Sequence, residues 1–538
     1  MPTHRISMLN CPIEWGYVSG KSYTDPGNEV ILDVVVTAPD GVTSVVPSFW
    51  GGDHEWRIRF APHQLGKHIF HTICSDNTNP DLHEQQGVIE VGPYAGSNPL
   101  YLHGPLRVAQ ANSYFEHSDG TPFFWLGDTW WMGFSKRLAW PDEFQMLAVD
   151  RAAKGYTVIQ IVAGLYPDMP PYDERGFNEG GHPWEPNYTR LNPRYFDMAD
   201  LRIQHLVKMG FVPCIVGSWG YHLPWLGMEK MKLHWRNIIA RWGAYPVIWC
   251  VAGESDMPYY VSDTKAADRL LQIKGWTELC QYVRKLDPYH RPISMHGPES
   301  ERNLMGGPLV LDFEMPGFGG HGGWDSAPNI VKQLPAAIAH EPKVPIINSE
   351  VNYEGIMEGS REDVQRFDFW VSILLGAGFT YGANGIWQLN CEGKPFGPSP
   401  HGASWGDTPW TEAYRLPGGA QIGLGKQLLA RYPWWLFKPY PEWIDGAATN
   451  ERPIAPYAAG VPGQVRIYYF PRPISPWGNN PTMLRQLEQG SVYRTFWVNP
   501  TNSVETHLPD TTANQDGAAP LPIPTVMQDW VLVMERIK

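Results

Sequence analysis

Pro246-Val-Ile-Trp-Cys-Val-Ala-Gly-Glu-Ser255 and Val344-Pro-Ile-Ile-Asn-Ser-Glu350 decide the reading of this chain. Each is a short apolar run of the kind that forms a buried strand, and each closes on a glutamate. A carboxylate at the mouth of a buried strand costs several kcal/mol unless water, a partner or a substrate compensates it. One such glutamate is easily a structural ion-pair partner. Two of them, in a chain that alternates strand and helix, predict the carboxyl pair of a glycoside hydrolase.

Outward from these two runs the strand–helix alternation continues. Eight strand candidates fall at 122–127, 157–163, 212–218, 247–252, 292–296, 309–313, 345–350 and 382–388. Helical patterns separate most of them, at 142–154, 194–209, 231–242, 265–286, 330–340 and 361–376, and a last helix at 420–430 follows strand eight. Asn192-Pro193 reads as an N-cap followed by proline at the first helical position. Unit five is weakest, with only 299–305 available for its helix. The pattern predicts a (β/α)8 TIM barrel over residues 100–435.

Both flanks change character. Residues 1–95 carry short alternating strands such as Glu55-Trp-Arg-Ile-Arg-Phe60 and Gly87-Val-Ile-Glu-Val91, which predict an Ig-like β-sandwich. Residues 436–538 return to strands, among them Gln464-Val-Arg-Ile-Tyr-Tyr-Phe470 and Val492-Tyr-Arg-Thr-Phe-Trp-Val498, and predict a second sandwich. The fold class is therefore multidomain α/β plus β, with a central barrel between two β modules.

A net charge of −13, with no basic cluster, argues against a nucleic-acid partner. No run approaches the roughly 20 apolar residues of a membrane span. The first ten residues lack an apolar stretch long enough for a signal peptide, and the six cysteines form no CxxC pair; a cytoplasmic protein is the expectation. The 25 tryptophans are mostly core, but the excess also suits a groove that stacks on sugar rings. The expected partner is an oligo- or polysaccharide or another glycoside. No cofactor and no metal is expected, since HExxH and paired histidines on a helix face are both absent.

In a barrel the residues just past the C-terminal ends of the strands face the site. Glu254, beside Gly253 in an apolar segment, suits the acid/base, because desolvation favours its neutral form. Glu350, beside Asn348 and Ser349, has local donors that suit an ionised nucleophile. Strand one ends in Gly127-Asp128-Thr129-Trp130-Trp131, offering Asp128 for sugar hydroxyls and Trp130 or Trp131 as a stacking wall; helix capping and core packing are the competing roles. Asp168 follows strand two and suits either substrate or an Asx-turn. Trp219 and His222 follow strand three, and His296 ends strand five, where it can donate to the nucleophile. His321 lies in a glycine-rich loop after strand six. Tyr353 lies within reach of Glu350, and Trp387 ends strand eight as a candidate stacking platform.

Trp125-Leu-Gly-Asp-Thr-Trp-Trp131, Ile248-Trp-Cys-Val-Ala-Gly-Glu254 and Ser349-Glu-Val-Asn-Tyr-Glu354 together make the barrel resemble the apiosidase-like glycoside hydrolases. The flanking modules are similar too. The resemblance implies a retaining enzyme with its acid/base at Glu254 and its nucleophile at Glu350, acting on a furanoside or another uncommon sugar. Ala252-Gly253-Glu254 departs from that family's Gly-Gly-Asp by one methylene of reach. Two other readings compete: a non-catalytic carbohydrate-binding protein on a degenerate barrel, and a metal-dependent hydrolase or lyase using Asp312, Glu314 and His321 of the strand-six loop.

Overall fold

The computed structural model describes residues 3–111, 113–304, 310–320, 322–474 and 482–538. Its centre is a barrel of eight parallel strands: β1 Leu126–Trp130, β2 Val158–Val162, β3 Val212–Val216, β4 Ile248–Gly253, β5 Ile293–Gly297, β6 Met315–Pro316, β7 Ile347–Asn348 and β8 Gly378–Tyr381. They pair in the order β6-β5-β4-β3-β2-β1-β8-β7. A single parallel bridge, Glu314 to Ile346, brings the two ends together and nearly closes the barrel. Every residue of β2, β3 and β4 is buried, as expected for parallel strands covered on both faces.

The outer helices follow the sequence periodicity closely. They run Asp142–Ala153, Pro193–Lys208, Met228–Trp242, Lys265–Leu286, Asn329–Ala339, Glu362–Leu375 and Pro417–Leu429. The Asn192 side chain caps the second of these by accepting from Arg194 N–H, with Pro193 in the first turn. Among the described residues, unit five has only the 3-10 turn Glu301–Asn303 in place of a helix.

Three strands differ from expectation. Pro122–Phe123 pairs antiparallel with Phe115–His117 in a separate small sheet, so strand one starts later, at Leu126, and carries Asp128 inside it. Strand six is the two residues Met315–Pro316; of the expected 309–313, residue 309 lies outside the described residues and 310–313 form no strand. Strand eight is Gly378–Tyr381, and the 382–388 run is a turn-rich loop beyond its C-terminal end.

N-terminal to the barrel, a five-stranded and a three-stranded sheet share a core that includes Trp15, Leu32, Val34, Trp56, Ile58 and Phe70. Arg59 of this layer reaches the barrel helices, 2.6 Å from Asp200 and 2.8 Å from the Arg241 carbonyl. C-terminal to it, a larger antiparallel sheet uses its two faces differently. Ile467, Tyr469 and Val533 join the barrel core, whereas Tyr468, Phe470 and Leu532 form a core of their own. The bidentate Arg366–Asp529 pair, at 2.8 Å on both arms, ties this sheet to the helix Glu362–Leu375. Among the described residues no helix is long and apolar enough to cross a membrane.

Candidate active site

Glu254 and Glu350 line one cavity of about 320 Å³ at the C-terminal end of the barrel. Trp131, Trp219, Tyr353 and Trp387 form much of its wall, joined by Asp168, Met257, Tyr260, Ile356, His401 and Trp405.

Local backbone features deliver Glu254 to this cavity. The β4–β5 register shifts between Cys250 and Gly253, and Glu254 itself sits in the left-handed region at φ +43. A non-glycine residue pays for that conformation, which persists where the surroundings over-determine it, often at functional sites. Gly253 is required beside it, because a Cβ there would lie 2.5 Å from the Trp219 ring. The ring so accommodated donates its Nε1–H to Glu254 Oε2 at 2.8 Å. Burial first, and the charge of Glu350 second, push the Glu254 carboxyl up to about 8, against the pull of the indole donor. At neutral pH its proton is therefore held.

Glu350 follows β7 and keeps 17% of its side chain exposed to the cavity. His296, the penultimate residue of β5, places Nε2 2.9 Å from Glu350 Oε2. The other ring nitrogen, Nδ1, lies 2.9 Å from Ser349 Oγ and 3.1 Å from the Met315 carbonyl. Burial opposes charge on this imidazole, but the Glu350 hydrogen bond and the charges of both glutamates raise its pKa above the ordinary histidine value. The rings of Trp219 and His296 lie 5.9 Å apart, so the two carboxyls are held by neighbouring side chains.

Trp131 packs 5.4 Å from both of those rings and donates Nε1–H to the Tyr353 hydroxyl at 3.2 Å. Tyr353 stacks on Trp387 at 6.0 Å and 22°. A Cβ at Gly382 would lie 1.8 Å from the Tyr353 ring, so only glycine lets that ring settle against the β8 end. Asp168 is buried at the cavity wall with φ +56 and takes a 3.3 Å hydrogen bond from Trp405 Nε1.

Several expected site residues are not at the cavity. Asp128 is wholly buried on the outward side of β1, ion-paired with Arg151 Nε at 2.5 Å and accepting from Trp130 Nε1 at 2.7 Å. Trp130 packs edge-on against Phe144 of the outer helix. Strand alternation explains both, since only one of two adjacent tryptophans can face the axis, and here it is Trp131. His222 opens the short helix His222–Leu226, and its Nε2 contacts the Tyr166 carbonyl at 2.9 Å; burial lowers its pKa to about 4. It is a neutral, structural histidine. The strand-six carboxylates of the metal reading are spent on arginines: Asp312 lies 3.0 Å from Arg284, and Glu314 pairs with Arg302. His321 lies outside the described residues.

Sequence reasoning missed Met257, Tyr260, Ile356, His401 and Trp405. All lie in loops or short turns past strand ends, where no periodicity marks them. The one usable signal was aromatic residues in Gly/Pro/Ser-rich loop sequence, as at Trp405.

Residues 109–436 match the model of a family described as apiosidase-like, catalytic domain, and residues 12–75 match a domain of unknown function, DUF5060. A solved putative glycoside hydrolase from Bacteroides vulgatus ATCC 8482 is similar over 99% of this chain and 100% of its own, at 17% identity and TM-score 0.68. A glycoside hydrolase family 5 structure from the same organism covers 82% of this chain and 95% of its own, at 20% identity and TM-score 0.66. A structure described as a glycoside hydrolase covers 82% and 98%, at 21% identity and TM-score 0.66. At these identities the likeness is one of fold. Among curated proteins no relative matches the chain.

Proposed function

This chain belongs to the apiosidase-like family of glycosidase catalytic domains, and from that premise we propose that it hydrolyses glycosidic bonds by a retaining double displacement. The observation that carries the reading is the pairing of two unlike carboxyls in one cavity. Glu254 holds a proton at neutral pH, and Glu350 faces the donor ring of His296. Environments that push two carboxyls apart assign one as acid and the other as nucleophile.

In the first step Glu350 attacks the anomeric carbon while the glycosidic C–O bond breaks, and Glu254 gives its proton to the departing oxygen. Loss of that proton leaves Glu254 a carboxylate near the new glycosyl ester. It then takes a proton from water, whose oxygen attacks the anomeric carbon and releases Glu350. The indole of Trp219 stabilises Glu254 in its charged phase, and His296 stabilises Glu350 before attack and after release. Trp131, Tyr353 and Trp387 supply aromatic faces for the sugar ring. A furanosidic substrate is the preference the family brings.

A screen of aryl pyranosides and furanosides, with Glu254→Gln and Glu350→Gln in parallel, tests the reading. The parent turns over at least one substrate, and both variants lose turnover while keeping affinity. A carbohydrate-binding protein without catalysis would bind glycans in all three forms and turn over none.

A further inference from the structure

We infer that Asp168, with Tyr260 and Trp405, is the specificity-determining face of this cavity, selecting an uncharged sugar by its hydroxyls and excluding uronic acids. The inference rests on the proposed hydrolase site and adds to it the class of sugar.

Asp168 is a third carboxyl in the cavity of Glu254 and Glu350. It is 6% exposed and stands on a left-handed backbone at φ +56, a conformation that Asp and Asn adopt more readily than other non-glycine residues. Its neighbours are donors rather than cations. Tyr260 stands beside it on the cavity wall, and Trp405 Nε1 donates to it at 3.3 Å. Arg175, the nearby cation, contacts the Asp168 carbonyl at 3.4 Å, not its carboxylate. The guanidinium is committed elsewhere, to Asp173 at 2.8 and 2.7 Å and to the Phe396 carbonyl at 2.9 Å. Among the described residues no lysine or arginine lines the cavity.

A carboxylate offers about four acceptor positions, and the Trp405 hydrogen bond leaves some of them open. Adjacent hydroxyls of a sugar ring present two O–H donors at the spacing of carboxylate oxygens, and such charge-assisted hydrogen bonds are strong. A substrate carboxylate would meet the opposite situation: the Asp168 and Glu350 carboxyls nearby and, among the described residues, no lysine or arginine on the cavity wall to pair with.

The test compares the full chain with Asp168→Asn, chosen because asparagine tolerates a positive φ and keeps the side-chain shape. Substrates are paired aryl glycosides and aryl uronides, in pyranose and furanose series. The parent is expected to prefer a neutral member, and Asp168→Asn to lose about 10²-fold in kcat/KM on it, chiefly through KM, with the neutral-to-uronide preference narrowing at least about tenfold. A parent that prefers a uronide, or a variant within about threefold of the parent on the neutral substrate, overturns the inference. If the parent turns over nothing, hydrolysis fails as a reading, and calorimetric titration with the free sugars and their uronic acids decides Asp168 alone. Neutral-sugar binding lost in Asp168→Asn supports its role; uronate binding as tight as neutral, or no neutral binding at all, overturns it.

Discussion

His296 Nε2 lies 2.9 Å from the Glu350 carboxylate, while Nδ1 of the same ring faces only acceptors. Ser349 Oγ gives its hydrogen to the Met315 carbonyl at 2.6 Å, so it too can only accept from Nδ1. Nδ1 must therefore carry a hydrogen, and the contact at Nε2 holds a second proton shared with Glu350. Against the pull of burial, the Glu350 hydrogen bond and charge raise the His296 pKa, and this favours the proton on the ring beside the Glu350 carboxylate. Such a contact favours the charged form of Glu350, the proposed nucleophile, while burial pushes Glu254 towards the neutral form.

Replacing His296 by Gln removes the cation and keeps a donor. The expected loss is about 10²-fold in kcat/KM. The acid limb of the pH profile should also move upward, because Glu350 without its cation protonates more readily. A profile that keeps its acid limb would assign His296 a packing role only.

Glu254 must be protonated to act as acid, so kcat/KM should fall as pH rises through about 8. Glu254→Gln should remove this basic limb. It should cost about 10²–10⁴-fold on substrates with poor leaving groups and far less on activated aryl glycosides, which depart without protonation. Azide should restore turnover of the activated substrates in this variant.

The same shift has a stability consequence. A carboxyl whose folded-state pKa is raised from 4.5 to about 8 binds its proton more tightly when folded, so its contribution to stability falls as pH rises across that window. Glu254→Gln should therefore be more stable than the parent above pH 8, by about 1–3 kcal/mol, with the difference vanishing near pH 4. Urea unfolding at the two pH values measures it.

Asp128 pairs with Arg151 in the helix layer, away from the cavity. Asp128→Asn leaves a buried guanidinium with less compensation, and about 3–5 kcal/mol of stability should be lost. KM of the folded enzyme should be unchanged. A raised KM with unaltered stability would return Asp128 to the substrate site.

The parts of this fold written in local chemistry were legible. The runs ending at Glu254 and Glu350 are buried strands with a charge at the mouth, and that conflict is visible without coordinates. The outer helices follow from their 3.6-residue period. Strand eight was misplaced because 378–381 and 382–388 both carry apolar residues among glycines and polar ones, and only pairing with β1 and β7 selects the first. Asp128 was misjudged by starting strand one too early, which put a residue from inside the strand at its mouth. Met257, Tyr260 and Ile356 were invisible for another reason: loop residues meet at a site through the tertiary path of the chain, and no local pattern encodes that meeting.

The most direct test of the paired-carboxyl account is covalent trapping. Activated 2-deoxy-2-fluoro glycosides, furanosides included, slow release of a glycosyl-enzyme enough for intact-mass detection and peptide mapping. The account predicts one added glycosyl group, carried on the Glu350 carboxyl and absent in Glu350→Gln. Attachment at another residue, or turnover that yields inverted product with no adduct, would contradict it.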